Sequence, residues 1–132
     1  MKKTALLLIV LCLLLLAGCA APQNTAGYQK ITPEEAKAML DAGKTVTLVD
    51  VRTQEEYDQG HIPGAMLLPS TEIEEKASQS LPDKSAVLLV YCRSGARSSS
   101  ASKALAAMGY TNVYDLGGIT AWPYETTTEP NQ

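Results

Sequence analysis

The most informative segment of the chain is Ala86-Val87-Leu88-Leu89-Val90-Tyr91-Cys92-Arg93-Ser94-Gly95-Ala96-Arg97-Ser98, an uncharged apolar run that passes into a polar loop. The run at 86–91 is the most apolar of the folded part, which predicts a central β-strand covered on both faces. A helical pattern follows over 98–108, with Ser98 as its expected N-cap. The segment therefore predicts a strand, a tight loop and a helix, with Cys92 at the carboxyl end of the strand.

Strands and helices alternate on either side of this segment. Further strands are expected at 45–51, 65–68 and 112–116. Three more helices are expected to begin with the threonine and glutamate of a capping box, namely Thr32 with Glu35, Thr53 with Glu56, and Thr71 with Glu74. These helices are expected to end near Asp41, Gly60 and Ser80. The alternation predicts an α/β, three-layer domain with a mainly parallel central sheet and helices on both faces.

The amino terminus has the features of an export signal. Lys2 and Lys3 precede an apolar run that is too short to span a bilayer comfortably. The run ends in Leu16-Ala17-Gly18-Cys19, which resembles the bacterial lipobox and implies that Cys19 is lipidated. The predicted product is lipid-anchored to a bacterial membrane in the cell envelope, facing the periplasm or the cell exterior. The alternative is an ordinary signal peptide cleaved near Ala20 or Ala21.

The remaining boundaries follow from composition. The chain has 132 residues, 45% of them hydrophobic, which suits one compact domain. The expected organisation is a lipoprotein signal peptide over 1–18, a lipidated Cys19 and linker over 19–27, a domain over 28–124 and a flexible tail over 125–132.

The charge balance argues against nucleic-acid binding. Loss of residues 1–18 would remove two of eleven basic residues and none of fourteen acidic ones, so the net charge would change from −3 to −5. A chain this acidic offers no basic stripe to phosphates. We therefore expect membrane contact through lipid, and no nucleic-acid partner.

The cysteine count isolates one thiol. Cys12 would leave with the signal peptide and Cys19 would carry lipid, so Cys92 would remain alone. A single thiol cannot form an internal disulfide, and one cysteine with the lone His61 is too few for a zinc site. We expect neither a metal nor a cofactor. Cys92 is then either a buried spectator or a reactive group.

The loop after Cys92 favours the reactive role. Ligands of open α/β sheets bind beyond the carboxyl ends of the strands, where Cys92 lies. Backbone N–H groups of the loop and of the following helix can converge there on an anion. With Arg93 and Arg97 nearby, we expect a thiol pKa lowered into the range of about 3.5–7.5 found for activated cysteines.

Several ordered motifs resemble those of single-domain rhodaneses. They are Val49-Asp50-Val51-Arg52 with Glu55-Glu56-Tyr57, then Gly60-His61-Ile62-Pro63-Gly64-Ala65, then Tyr91 to Ser98, and finally Asp115-Leu116-Gly117-Gly118-Ile119 with Trp122. The resemblance extends from about Gln29 to Tyr124. Three motifs in order at compatible spacing are a far more specific signal than one.

The resemblance implies a sulfurtransferase with a cysteine persulfide intermediate. Cys92 would be the nucleophile, and the anion-binding loop would comprise Arg93, Ser94, Gly95, Ala96, Arg97 and Ser98. Arg97 would be the principal cation for the substrate, with Arg93 at the rim. The expected donor is a small molecule, thiosulfate or a persulfide. The expected acceptor is a thiol, a cyanide-type nucleophile or a protein.

Two other functions remain open at this point. Phosphatases of the same fold, and arsenate reductases, also use a cysteine and an arginine. However, the phosphatases carry five residues between them, whereas four separate Cys92 from Arg97. A catalytically silent rhodanese-like binding or regulatory module is the other alternative, although an intact Cys92 argues against it.

The polar residues outside the loop are expected to support the structure. Asp50 and Arg52 are interpreted as an ion pair that holds loops together. His61 is interpreted as a structural hydrogen-bonding residue rather than a catalytic base. The glutamates at the helix starts, including Glu55 and Glu56, are interpreted as solvated groups that complement helix dipoles.

Overall fold

The computed structural model describes residues 27–131. The strands are β1 (Gln29–Lys30), β2 (Val46–Asp50), β3 (Met66–Leu67), β4 (Val87–Cys92) and β5 (Asn112–Gly118). The α-helices are α1 (Pro33–Asp41), α2 (Gln54–Asp58), α3 (Ile73–Ser80) and α4 (Ala96–Ala107), and 3-10 turns lie at Ser70–Glu72 and Ile119–Ala121. The predicted signal peptide and Cys19 lie outside the described residues. Among residues 27–131, no helix is both long and apolar enough to cross a bilayer.

The five strands form one parallel sheet in the order β1-β5-β4-β2-β3. The central position predicted for the 86–91 run is confirmed, because β4 pairs with β2 on one side and β5 on the other. Leu89 lies opposite both Leu48 and Tyr114. The α/β class predicted from the sequence is therefore confirmed.

Alternate residues of β4 supply the two halves of the core. Leu88, Val90 and Cys92 belong to a buried cluster that contains Ile73 and Ala77 of α3 and Ala101 and Leu105 of α4. Leu89 and Tyr91 belong to a second cluster with Ala36 of α1 and Tyr57 of α2. Because successive strand residues point to opposite faces, an uninterrupted apolar strand fits only between two helical layers.

Two of the three predicted capping boxes are present. Thr32 and Thr53 accept a hydrogen bond from the backbone of Glu35 and Glu56, whose carboxylates accept one in return. The box predicted at Thr71 and Glu74 is wrong. Thr71 lies within the 3-10 turn that precedes α3, so its backbone is already helical and it cannot cap the helix.

Two further details differ from expectation around the Cys92 segment. The helix begins at Ala96, with Gly95 as N-cap, so the expectation that Ser98 is the cap is wrong. Strand β5 continues beyond the predicted Leu116 to Gly118, with a register irregularity. Val90 lies opposite Asp115, whereas Tyr91 lies opposite Gly117, which is the geometry of a bulge.

The carboxyl-terminal segment differs from the expected flexible tail. Thr127 forms an antiparallel bridge with His61, with N–H···O distances of 2.8 and 2.9 Å in the two directions. Asn131 donates a hydrogen bond to the hydroxyl of Tyr57 at 3.1 Å. The segment therefore packs on the turn that contains His61.

Candidate functional site

The Cys92 loop, defined here as residues 92–98, curls around the thiol. Cys92 is the last residue of β4 and is 1% exposed. Gly95 donates its backbone N–H to the Cys92 Sγ at 3.0 Å. Gly95 has a φ of +106°, a left-handed conformation that favours glycine. The loop can thus turn its N–H groups towards the sulfur.

These donors favour the thiolate over the thiol. Burial of Cys92 raises its pKa, but the backbone N–H and hydroxyl of Ser98 lower it, as do the N–H groups of Gly95 and Ser94. The net result is a pKa below the ordinary value for cysteine. Since thiolate is the nucleophilic form, the arrangement supports nucleophilic chemistry at this sulfur.

The end of β5 fixes the path of the loop. A Cβ on Gly118 would overlap the backbone oxygen of Arg93 and lie 2.7 Å from the Cα of Ser94. Thr120 donates its N–H and its hydroxyl to the same Arg93 oxygen, at 3.2 and 3.0 Å. The Ser98 hydroxyl lies 3.1 Å from the Gly95 oxygen and 3.3 Å from that of Gly117. The backbone oxygens of Arg93, Gly95 and Gly117 are thereby fixed by hydrogen bonds.

Arg97 is engaged by a glutamate from another part of the chain. Its Nη1 and Nη2 donate to the two carboxylate oxygens of Glu56, at 2.7 and 2.8 Å. The hydrogen bonds from Arg97 are the main reason that the pKa of Glu56 falls to about 2. The same contact raises the pKa of Arg97. The interpretation of Glu56 as a merely solvated helix start is therefore corrected.

The other loop residues face an open cavity or solvent. Arg93, Ser94 and Ala96 are exposed. A cavity of about 570 Å³ adjoins the loop, and its walls include Ala96, Arg97 and Glu74. Of the two arginines predicted to assist, Arg93 has no ion-pair partner among residues 27–131, whereas Arg97 has one.

A buried ion pair lies at the carboxyl end of β2, beside β4. Asp50 is fully buried, and the Arg52 Nη2 donates to its Oδ2 at 2.6 Å and to the Gly60 oxygen at 2.7 Å. The pair lies close to Tyr91, since the Arg52 guanidinium is 5.7 Å from the centre of that ring. The Tyr91 hydroxyl accepts the N–H of Ile62 at 3.1 Å. These contacts suit the structural role predicted for Asp50 and Arg52.

His61 lies in the turn that follows helix α2, and its ring contacts Tyr57 of that helix. Its Nδ1 is 3.0 Å from the backbone oxygen of Tyr57, and its ring stacks on the Tyr57 ring at 3.7 Å. Its structural role stays a prediction that these contacts favour. Among residues 27–131, no group of three or more His, Cys, Asp or Glu side chains is arranged to hold a metal ion.

Sequence reasoning missed three contributors to the site. They are the Glu56 carboxylate, the close approach of Gly118 and the two hydrogen bonds from Thr120. Each is a contact between segments at least 24 residues apart in the chain. The Glu55-Glu56-Tyr57 motif pointed to a role for the Glu56 carboxylate. The capping-box spacing, however, already gave Glu56 a local role at the start of its helix.

Comparison with known proteins agrees with this geometry. The sequence model of the rhodanese-like domain matches residues 32–125. The chain belongs to the rhodanese-like domain family. The resemblance stated from the sequence motifs is thus confirmed.

Curated relatives within the rhodanese-like family include named sulfurtransferases. The chain is 41% identical over 71 residues to the thiosulfate sulfurtransferase PspE of Escherichia coli, a match covering 54% of this chain and 68% of that protein. It is 43% identical over 94 residues to a sulfurtransferase of Allochromatium vinosum, covering 70% of this chain and 86% of the relative.

Solved rhodanese structures share the fold. A rhodanese from E. coli, solved with anions, aligns with a TM-score of 0.60 at 34% identity, covering 64% of this chain and 99% of that one. A rhodanese-like domain protein from Staphylococcus aureus aligns with a TM-score of 0.66 at 35% identity, covering 76% and 98%. The rhodanese fold predicted from the sequence is confirmed by both alignments.

Proposed function

We propose that this protein transfers sulfane sulfur through a persulfide on Cys92. The chain is a rhodanese-like sulfurtransferase by its family and by its named relatives. The single observation that carries the mechanism is the 3.0 Å N–H···S hydrogen bond from Gly95 to a buried thiol whose pKa is lowered. Such a site stabilises an anionic sulfur without a general base.

The first half-reaction forms the persulfide. With thiosulfate as donor, an electron pair of the Cys92 thiolate attacks the outer sulfur atom. A new S–S bond forms, the S–S bond of thiosulfate breaks, and sulfite leaves with the bonding pair. The negative charge then lies on the outer sulfur of the persulfide, where N–H groups of the Cys92 loop can stabilise it as an oxyanion hole does.

The second half-reaction returns the thiolate. A thiol or cyanide-type acceptor attacks the outer sulfur, and the Cys92 sulfur leaves as thiolate with the bonding electron pair. No metal, cofactor or external oxidant is needed, because the sulfane sulfur carries its oxidation state from donor to acceptor. A partner protein could serve as acceptor by the same chemistry.

Intact-mass analysis tests the mechanism. The purified full-length protein and a Cys92→Ser variant are incubated with thiosulfate or with polysulfide. We expect wild-type protein to gain one sulfur atom that cyanide removes, and the variant to gain none. A folded wild-type protein that acquires no sulfur from either donor would be a binding module instead.

We also propose that the protein is lipid-anchored in the bacterial cell envelope. The Leu16-Ala17-Gly18-Cys19 sequence supports this location. In a bacterial host supplied with an alkyne-tagged fatty acid, the full-length chain should become labelled and a Cys19→Ala variant should not. Equal labelling of both would contradict the anchor.

A further inference from the structure

Within residues 27–131, helices α1 and α2 begin with the same capping box, and the glutamate of the α2 box contacts the Cys92 loop. Thr32 and Thr53 have almost identical backbone angles, with φ of −79° and −78° and ψ of 161° in both. The Glu35 carboxylate accepts the Thr32 N–H at 2.8 Å, and the Glu56 carboxylate accepts the Thr53 N–H at 3.1 Å. Glu56 alone carries a second partner, Arg97. Glu35 is therefore a matched control position for Glu56 within the same chain.

The contact removes the net charge of Arg97 from the site. Both terminal nitrogens of Arg97 donate to Glu56, so the guanidinium and the carboxylate form a neutral pair. The side chains are 35% and 25% exposed, which leaves the pair only partly screened by water. Two of the five N–H donors of Arg97 are thus already used.

The capping box keeps Glu56 in this position. Besides Arg97, the Glu56 Oε2 accepts the N–H and the hydroxyl of Thr53, both at 3.1 Å. A carboxylate held by its own helix start cannot swing away from Arg97 without losing those hydrogen bonds. A donor that needs the full charge of Arg97 must therefore compete with a positioned anion.

The remaining charges near the loop do not replace the lost one. On the Cys92 loop itself, Arg93 forms no ion pair with any of residues 27–131. Glu74 lines the cavity beside the loop and adds a negative charge there. Within residues 92–98, the site thus offers backbone N–H groups and the charge of Arg93, which match a single negative charge better than two.

We propose that Glu56 determines donor specificity, making the Cys92 site favour monoanionic sulfane donors, such as hydropersulfides and thiosulfonates, over the thiosulfate dianion. The inference rests on the proposed function, since it concerns the donor of the same reaction. Glu56 acts here as a positioning residue, because it reaches the donor only through Arg97.

The test compares two donors that differ in charge. Thiosulfate and methanethiosulfonate both present an outer sulfur bound to an oxidised sulfur, but the first is a dianion and the second a monoanion. With the purified full-length protein and cyanide as fixed acceptor, kcat/KM is measured for each. We expect the thiosulfate-to-methanethiosulfonate ratio to rise about tenfold in Glu56→Gln, which keeps the size of the side chain.

Two control variants separate the specific contact from general effects. Glu35→Gln weakens the equivalent capping box without touching Arg97. Glu55→Gln removes a negative charge from the same helix, at an exposed side chain that forms no hydrogen bond in the described structure. We expect both to keep the donor ratio within about twofold of wild type.

If Glu56→Gln folds poorly, a double variant still tests the specificity role of Glu56. Glu56→Gln with Arg97→Met removes both charges together. If the Glu56–Arg97 pair carries no net charge towards the donor, the ratio of kcat/KM for thiosulfate to that for methanethiosulfonate should stay within about threefold of wild type. A selective tenfold loss of thiosulfate turnover would show instead that Arg97 binds the dianion directly, and would overturn the inference.

The remaining outcomes are also decisive. An unchanged ratio in Glu56→Gln, or the same rise in Glu55→Gln, overturns the specificity role while persulfide formation on Cys92 persists. Failure of both donors to form a persulfide in wild-type protein overturns the proposed function itself. Mass analysis of each variant distinguishes these two failures.

Discussion

Ser98 connects the start of helix α4 with the Cys92 loop and the end of β5. It is fully buried, and its N–H and hydroxyl both lower the pKa of Cys92. Its expected role as helix cap was wrong because Gly95, with a positive φ, begins the helix earlier. Three residues into the helix start, the Ser98 hydroxyl lies between the Gly95 oxygen of the loop and the Gly117 oxygen of β5.

Replacement of Ser98 by alanine should move the titration of Cys92. In the wild-type protein, the fraction of Cys92 present as thiolate increases as the pH rises past its lowered pKa. The rate of alkylation by iodoacetamide increases with that fraction. In Ser98→Ala the loss of the hydroxyl should shift this rise towards alkaline pH, so alkylation at neutral pH becomes slower. Ser100→Ala, at an exposed position of the same helix, should keep the wild-type profile. Superimposable profiles for all three proteins would contradict this role of the hydroxyl.

The pairing of Glu56 with Arg97 illustrates what residue patterns cannot reveal. Cys92 and its loop were predictable, because strand, loop and helix are adjacent in sequence and their geometry is local. Glu56 lies 41 residues from Arg97, and only the folded sheet brings α2 to the Cys92 loop. The capping-box spacing gave Glu56 a sufficient local explanation, so the sequence offered no reason to seek a second partner.

At the level of elements, the site depends on how β5 meets the Cys92 loop. Gly118 has an ordinary extended backbone, with φ of −105°, so it is not required for its conformational freedom. It is required because the backbone of Arg93 and Ser94 occupies the space of a side chain. The close approach could not be predicted from the Gly117-Gly118 motif, since a bulge sets the register there.

Gly118→Ala should therefore displace the loop. We expect persulfide formation to fall at least tenfold and the free energy of unfolding to fall by about 1–3 kcal/mol, as for other overpacked sites. Gly64→Ala is the control, because a methyl group there meets open space while the φ of +84° strains the backbone. It should cost about 1 kcal/mol and leave persulfide formation near the wild-type rate. Denaturant unfolding and mass analysis measure both effects. Full activity in Gly118→Ala would refute the packing argument.

Helix starts were predictable wherever the local backbone agreed with the side-chain pattern. Thr32 and Thr53 have the extended backbone that a cap requires, and their boxes form. At Thr71 the same spacing fails because a 3-10 turn has already begun at Ser70. The turn follows Pro69, whose φ of −52° leads directly into it, and the helix then starts at Ile73.

At the scale of the whole molecule, the carboxyl-terminal segment packs on the turn that contains His61. Sequence composition suggested a free tail because residues 125–132 lack an apolar pattern. The segment is held instead by backbone hydrogen bonds between Thr127 and His61, which no side-chain pattern records. The parallel sheet and its two helical layers were predictable, since they follow from apolar periodicity.

Removal of residues 126–132 should destabilise the domain without stopping sulfur transfer. The two lost backbone hydrogen bonds to His61 predict a decrease of about 1–3 kcal/mol in the free energy of unfolding. Persulfide formation should stay within about twofold of wild type, since the segment contacts the His61 turn and not the Cys92 loop. Removal of Gln132 alone serves as the control. Unchanged stability in the longer truncation would mean that the bridge contributes nothing.

The burial of the Cys92 sulfur also bears on the regiochemistry of the second half-reaction. A persulfide has two electrophilic sulfur atoms, and attack at the inner one would expel hydrosulfide and leave a mixed disulfide. The inner atom is enclosed by the loop, with Cys92 1% exposed, whereas the outer atom would stand about 2 Å further out. We therefore expect an incoming thiol to attack the outer atom. In the proposed mechanism, shielding of the inner sulfur would favour the attack that returns the Cys92 thiolate over the attack that leaves the enzyme in a disulfide with its own acceptor.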